Sequence, residues 1–330
     1  MIKTRLTSHL DIQHPIISAP MAFAAGGALA GAVTNAGGLG MIGGAYGDAE
    51  WLDEQYKEAG NAKTGCGFIT WNLQHAISSA PRLLDDIIER QPHALMLSFG
   101  DPEPYVEPIL NAGIELIVQV QTLRDAKHAA DIGASIVVAQ GSEAGGHGEA
   151  RATMTLVPEV ADHLARAHPK TLLCAAGGIA DGRGLAAALM LGADGVLVGS
   201  RLWASKEASV HPEMHKAALA ATGDDTIRSS VMDIARKLDW PDRYTARVLK
   251  NAFTDRWHGD LDGLIANAEE QAALWKEAWA NGDVTTANTF VGESTGLIDS
   301  VEPVADIIEK MVADAERIIT RCASNIVDVR

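Results

Sequence analysis

Residues 171–200 read TLLCAAGGIADGRGLAAALMLGADGVLVGS, and this stretch decides the fold. An apolar run over 171–179 closes on paired glycines, a helix-forming run covers 184–191, a Leu-Gly-Ala exit follows, and a second apolar run spans 195–200. Both runs are apolar on successive residues rather than on alternate ones. That is how a strand covered on both faces of a parallel sheet reads, and strand, helix and strand in succession make one right-handed crossover unit.

The same unit repeats toward the N-terminus. Further strand-like runs lie at 14–21 (HPIISAPM), 39–44, 64–70, 94–100, 115–121 and 134–141, which with the two above makes eight. Helical stretches at 29–36, 81–90, 122–132 and 157–167 separate them and leave through NAGG, NAGI and DIGA, the small-residue exits of helix C-caps. Eight alternations close a ring. The expected fold is therefore α/β, a (β/α)8 TIM barrel with a helical insert, or lid, after the eighth strand.

Beyond residue 200 the rhythm changes. Residues 211–222, 226–238 and 261–281 look helical, and no strand-like run is apparent among them. The expected division is a barrel made of 1–221 and 291–330, with 222–290 as a lid on the face where barrel active sites are built. A late amphipathic helix, apolar at Val304, Ile307, Ile308, Met311 and Val312, can return to serve as the eighth barrel helix.

Composition removes several function classes. Lys and Arg total 27 against 43 acidic residues, a formal charge of -16, and no basic cluster offers a stripe for phosphates, so nucleic acid is not an expected partner. The first 15 residues lack the apolar core of a signal peptide, and no apolar run approaches the roughly 20 residues that span a bilayer. A cytoplasmic protein without a membrane partner is expected, and a homodimer is compatible with the sequence. Cys66, Cys174 and Cys322 are scattered, which suits buried free thiols better than a disulfide framework or a zinc site.

Four motifs remain to be weighed. Gly38 to Gly43 matches GxGxxG, but a helix precedes it and the glycines sit in the second strand, so close packing is expected in place of dinucleotide binding. His211 and His215 have a chelating spacing yet no third ligand; a solvated helix start is expected, and no metal. The loops carrying Gly177 and Gly178 after strand seven, and Gly199 and Ser200 after strand eight, have the composition of a barrel phosphate site, with backbone N–H groups free to approach the anion and a hydroxyl to donate. His147, in AGGHG after strand six, is flanked by glycines that cannot bury it. It reads either as a loop-surface histidine or as a titratable group facing the cavity near a cofactor.

HPIISAPM, NAGGLGMIGG, AQGSEAGGHG, TLVPEV, the 174–208 segment and GESTGLID together resemble the nitronate monooxygenase family of FMN-dependent TIM-barrel oxidoreductases over nearly the whole chain. Related flavin enzymes that reduce enoyl thioesters or quinones with NAD(P)H share these segments. The resemblance implies FMN as cofactor, oxidation of alkyl nitronates or nitroalkanes with O2, and His147 as the catalytic histidine. The alternative it leaves is an NAD(P)H-dependent reductase of quinones or enoyl thioesters. It also implies that Ala19, Pro20 and Met21 lie against the flavin, that Gln119 stands near its ring, that Gln140 and Gly145 line it, and that Gly178 and Leu197, Val198, Gly199 and Ser200 hold its phosphate. Many members have asparagine two residues after the glycine of strand three, where this chain has Ile69; Thr70 or Asn72 is expected to replace that contact.

Overall fold

The computed structural model describes residues 2–326, with side chains through Arg321. Met1 and 327–330 of the expected barrel unit, and the Cys322 side chain, lie outside the described residues.

All eight expected strands form: β1 Ile16–Ser18, β2 Met41–Ala45, β3 Gly65–Ile69, β4 Ala94–Ser98, β5 Glu115–Val120, β6 Ile136–Gln140, β8 Leu172–Ala176 and β9 Gly195–Val198. Between β6 and β8 lies a short extra strand, β7, Gly146–Gly148. The eight long-expected strands pair in parallel in the order β1-β9-β8-β6-β5-β4-β3-β2. A parallel bridge between Ile17 and Leu39 brings the two ends of this sheet together as a barrel. The continuous apolarity of the strands is explained by two packed layers. Met41, Met96, Ile117, Val138, Cys174 and Leu197 fill the interior, whereas Ile42, Leu95, Val118, Val137 and Val196 face the helices.

Helices at Gly27–Asn35, Leu83–Glu89, Leu123–Asp131, Thr153–Ala167 and Gly182–Met190 stand where the sequence places them, within a few residues. Thr122 and Asp181 cap two of them by accepting from the N–H groups of Asp125 and of Arg183 and Gly184. The helix Val304–Ile326 packs on Gly182–Met190 and Gly27–Asn35, closing the helical layer as the delayed eighth helix. Gly182 permits the approach, since a Cβ there would stand 2.5 Å from that of Asp314. A helix the sequence reading did not assign, Arg5–Leu10, sends Leu6 and Leu10 into the interior cluster. Leu6 lies against Gly195 at the start of β9, so the N-terminal mouth of the barrel is plugged and only the opposite mouth can hold a site. The GxGxxG stretch is close-packed strand, as expected: a Cβ on Gly40 would fall 1.7 Å from the Ala30 carbonyl oxygen.

The insert departs from the all-helical expectation. Residues 226–238 are not one helix: Thr226–Ser229 is strand β10, followed by a short helix Val231–Ala235, and Thr245–Leu249 is strand β11. β10, β11 and β7 make a three-stranded antiparallel sheet with β11 in the middle. The physical reason is that the Gly146–Gly148 segment leaves the barrel with an open backbone edge, which β11 satisfies through Ala246 opposite His147. The expected helix 261–281 divides into Leu261–Ala266 and Ala268–Asn281, because Asn267 leaves helical backbone and donates its amide to the Gly263 carbonyl. Val231, Met232, Val248, Phe253, Trp257 and Trp275 give the insert its own small core.

Cys66 and Cys174 are buried free thiols. Burial pushes the Cys66 thiol up to about 12, which keeps it protonated and inert. Among the described residues no helix is long and apolar enough to cross a membrane.

Candidate active site

A cavity of about 860 Å³ opens at the C-terminal ends of the barrel strands. Its floor comes from Ala19, Pro20 and Met21 after β1, Gly67 to Ile69 in β3, Gln119 in β5, Gln140 in β6 and Leu197 in β9. The insert supplies the facing wall with Arg236, Trp240, Trp275 and Trp279. Of the six non-glycine residues with left-handed backbone among the described residues, Phe23, Ala45, Phe99 and Lys237 line this one cavity. Strained backbone of this kind, costing about 1–3 kcal/mol each, collects where a site over-determines it.

Apart from Thr70 and Asn72, every site residue named from the sequence borders the cavity except Val198. That side chain belongs to the layer between barrel and helices, and its carbonyl accepts from the Ala19 N–H at 2.9 Å. The glycine loops have the backbone a cradle needs. Gly177 and Gly178 sit at φ +101° and +74°, and a Cβ at Gly177 would stand 2.9 Å from the Gly141 carbonyl oxygen. Gly145 passes equally close to Val291 and Gly292. A Cβ on Gly199, in contrast, would meet nothing nearer than Ala19 at 3.7 Å. The Ser200 hydroxyl accepts from the Gly292 N–H at 2.9 Å, which leaves its own proton to donate. Glu143, beside this cradle, turns its carboxylate to the Thr153 N–H and hydroxyl.

Gln140 is held on both sides. Gln121 donates to its carbonyl at 2.8 Å, and its own amide donates to the His147 carbonyl at 3.1 Å, which fixes the backbone of β7 against β6. The glycine-flanked His147 was expected to have no neighbouring side chains, and the structure corrects this. Its side chain is only 9% exposed. Trp240 stacks on it with ring centroids 3.4 Å apart and planes 4° apart, Phe99 meets it edge-on at 6.2 Å, and Nε2 lies 3.0 Å from both carboxylate oxygens of buried Asp233. Trp240 is itself fixed by donating its indole N–H to the Tyr46 hydroxyl at 3.1 Å.

An ordinary imidazole pKa does not survive this setting. Burial holds His147 below the usual histidine value, the Asp233 carboxylate works against that, and the charges of Arg236 and Arg228 add to the lowering. The imidazole is thus neutral at neutral pH and ready to accept a proton.

Two further expectations are corrected. Neither Thr70 nor Asn72 borders the cavity: Asn72 donates to the Tyr46 carbonyl, Thr70 is buried at a helix start, and Ile69 itself lines it. His211 does stand at a helix start, as expected in place of a chelating pair, but both it and His215 are half-buried and not simply solvated. His211 caps the helix Pro212–Ala220 by accepting from the Glu213 N–H, and His215 bonds the Trp203 carbonyl through Nε2.

Asp233 escaped the sequence reading. The available signal was a lone carboxylate in the run VMDIA, between residues that all want burial.

The sequence profile of the nitronate monooxygenase family matches residues 3–65 and 68–314. The chain is 33% identical to a nitronate monooxygenase of Neurospora crassa, over 93% of this chain and 90% of that one. It is 29% identical to a (3aS,4S,5R,7aS)-5-hydroxy-7a-methyl-1-oxo-octahydro-1H-indene-4-carboxyl-CoA dehydrogenase of Rhodococcus jostii, over 95% and 96% of the two chains. Among solved structures, FabK from Thermotoga maritima superposes with a TM-score of 0.85 at 31% identity, covering 98% of this chain and all of that one. A barrel plugged at one mouth and opened at the other onto a glycine cradle and a buried histidine agrees with these likenesses, and the chain belongs to the nitronate monooxygenase family of oxidoreductases.

Proposed function

We propose that this protein is an FMN-dependent oxidoreductase that oxidises alkyl nitronates, and nitroalkanes once deprotonated, with O2. The observation that carries the reading is a neutral, buried imidazole, His147, on the wall of the same cavity that holds the glycine cradle of 177, 178 and 199. The residues present fit FMN. The cavity volume lies in the range of about 300–1,000 Å³ used for cofactors and small ligands, and a single cradle of backbone N–H groups with one hydroxyl suits one terminal phosphate.

Gly178, Gly199 and Ser200 would hold the phosphate, with Gly177 shaping the turn. Ala19 to Met21, Gln119, Gln140, Gly145 and Leu197 would border the rest of the group. When bound, FMN would carry electrons from the substrate to O2. The remaining work falls to the chain. His147 takes the proton from the carbon next to the nitro group, or stands beside the anion when the substrate arrives as nitronate. Trp240, itself fixed by Tyr46, and Phe99 hold that imidazole in place against one wall. Residues 222–290 act as a lid on a barrel made of 1–221 and 291–330, and Trp275 and Trp279 exclude water from the cavity.

Boiling the purified yellow protein is expected to release FMN, one per chain, into the supernatant. FAD, or no flavin after reconstitution, would show that the cradle has been misread.

A second reading has its own support. Arg236, Lys237 and Lys276 stand on the insert's side of the cavity and could meet the phosphates of a nicotinamide nucleotide or a CoA thioester. A reductase of quinones or enoyl thioesters would use them so. Anaerobic mixing with NADH, NADPH and a nitronate in turn, following the flavin absorbance, separates the readings. Bleaching by nitronate alone is the expected result; rapid bleaching by a pyridine nucleotide would favour the reductase.

A further inference from the structure

His147 and its partner come from different parts of the chain. The imidazole belongs to β7, next to the barrel, and Asp233 belongs to the helix Val231–Ala235 of the insert. Asp233 is 2% exposed, and its carboxylate oxygens both lie 3.0 Å from the same ring nitrogen, Nε2. A carboxylate only accepts hydrogen bonds, so Nε2 must carry the proton. In a neutral imidazole the other nitrogen then holds the lone pair.

We propose that Asp233 is the positioning residue of this site, fixing the Nε2–H tautomer of His147 so that Nδ1 is the atom that accepts the substrate proton. The proposal rests on the nitroalkane reading for its substrate, but not for its geometry. In the step itself the C–H bond next to the nitro group breaks, its proton bonds to Nδ1, and its electron pair moves onto the nitro group to give the nitronate. His147 becomes imidazolium, and its Nε2–H then points at a negative charge.

The charged groups that act on the ring fit this assignment. Asp233 faces Nε2 from its helix; Arg236, one turn on, and Arg228 of β10 oppose protonation; Tyr46 contributes a neutral hydroxyl that accepts from Trp240. Asp233 is the carboxylate that works against the lowering of His147 by burial and by the two arginines. Since Asp233 and Trp240 both ride on the insert, the tautomer is set only while the insert is docked. The insert is thereby part of the catalytic apparatus as well as a cover.

The test uses the flavin-loaded protein labelled with ¹⁵N-histidine, with the His147→Gln variant to identify the resonances of His147. The wild-type ring is expected to show the Nε2–H tautomer. In Asp233→Asn, whose amide oxygen can still accept from Nε2–H, the titration midpoint of His147 is expected to fall by about one pH unit, because an opposite charge has been removed from its side. The same variant should lose about tenfold in kcat on a neutral nitroalkane with KM changed less than about twofold, the pattern of a weakened base whose imidazolium has lost its counter-charge.

A wild-type Nδ1–H tautomer overturns the proposal without recourse to any variant, and so does an unmoved midpoint in a folded Asp233→Asn protein. If the tautomer and the midpoint shift are seen but neutral nitroalkanes are not turned over, the dyad stands and the substrate reading falls.

Discussion

His147→Ala is expected to retain its flavin and to turn over neutral nitroalkanes about 100-fold more slowly or worse, the scale of a lost general base. Retention follows from the distribution of contacts. The cradle at 177, 178, 199 and 200 belongs to the loops after β8 and β9, whereas His147 sits on β7 among Trp240, Phe99 and Asp233. A preformed nitronate has already lost its proton, so its oxidation should suffer less. Equal losses on both forms would mean that the imidazole only orients or stabilises the anion, and an unchanged rate on both would remove it from the mechanism. The pH profile gives an independent reading. The base works when unprotonated, and burial puts its pKa below the usual value. The acid limb for neutral nitroalkanes should therefore lie below about pH 6.5, the ordinary histidine value, and His147→Ala should abolish that limb. A limb at or above 6.5 would contradict the burial described for the ring.

The barrel was legible because its physics is local. A strand covered on both faces is apolar on successive residues, and β4 (ALMLS) and β6 (IVVAQ) announce that over their first four positions without reference to any partner. The small sheet was not legible for the opposite reason. β10 is TIRS and β11 is TARVL, each with an arginine at its centre, and neither shows apolar continuity or clean alternation. Those arginines are tolerated because both donate to the Ser142 carbonyl, on a loop about 85 to 105 residues earlier, a partnership that no local window contains. The same distance hid the setting of His147. Its flanking glycines correctly indicated that backbone neighbours leave the ring free, but its burial is supplied by Asp233 and Trp240, 86 and 93 positions later in the chain. The missing family asparagine shows the limit of substitution by proximity in sequence. Thr70 and Asn72 lie close to Ile69 along the chain, yet a helix begins at Thr70 and neither borders the cavity.

Gly199→Val should lose flavin affinity by about 10- to 150-fold while leaving the fold native, and among the cradle glycines it gives the cleanest test. Substitutions at Gly177 and Gly178 mix two effects. Both have left-handed backbone, where a β-branched residue is strained by about 1–3 kcal/mol, and at Gly177 the new Cβ also presses on the Gly141 carbonyl. Loss of flavin there could follow from loss of structure. Gly199 has φ −103°, outside the left-handed region, and its Cβ would find only ordinary contacts, with Ala19 at 3.7 Å and Met21 Sδ at 3.9 Å. Protein packing therefore gives no reason for glycine at this position, whereas a phosphate drawn against the backbone does. Displacing that phosphate from one charge-assisted N–H bond costs about 1.5–3 kcal/mol, which is the stated range in Kd. The measurement is FMN titration of the reconstituted apoprotein, with far-UV dichroism and a urea midpoint alongside. Wild-type affinity in Gly199→Val would move the phosphate away from the loop after β9, and a collapsed urea midpoint would make Gly199 a structural glycine instead.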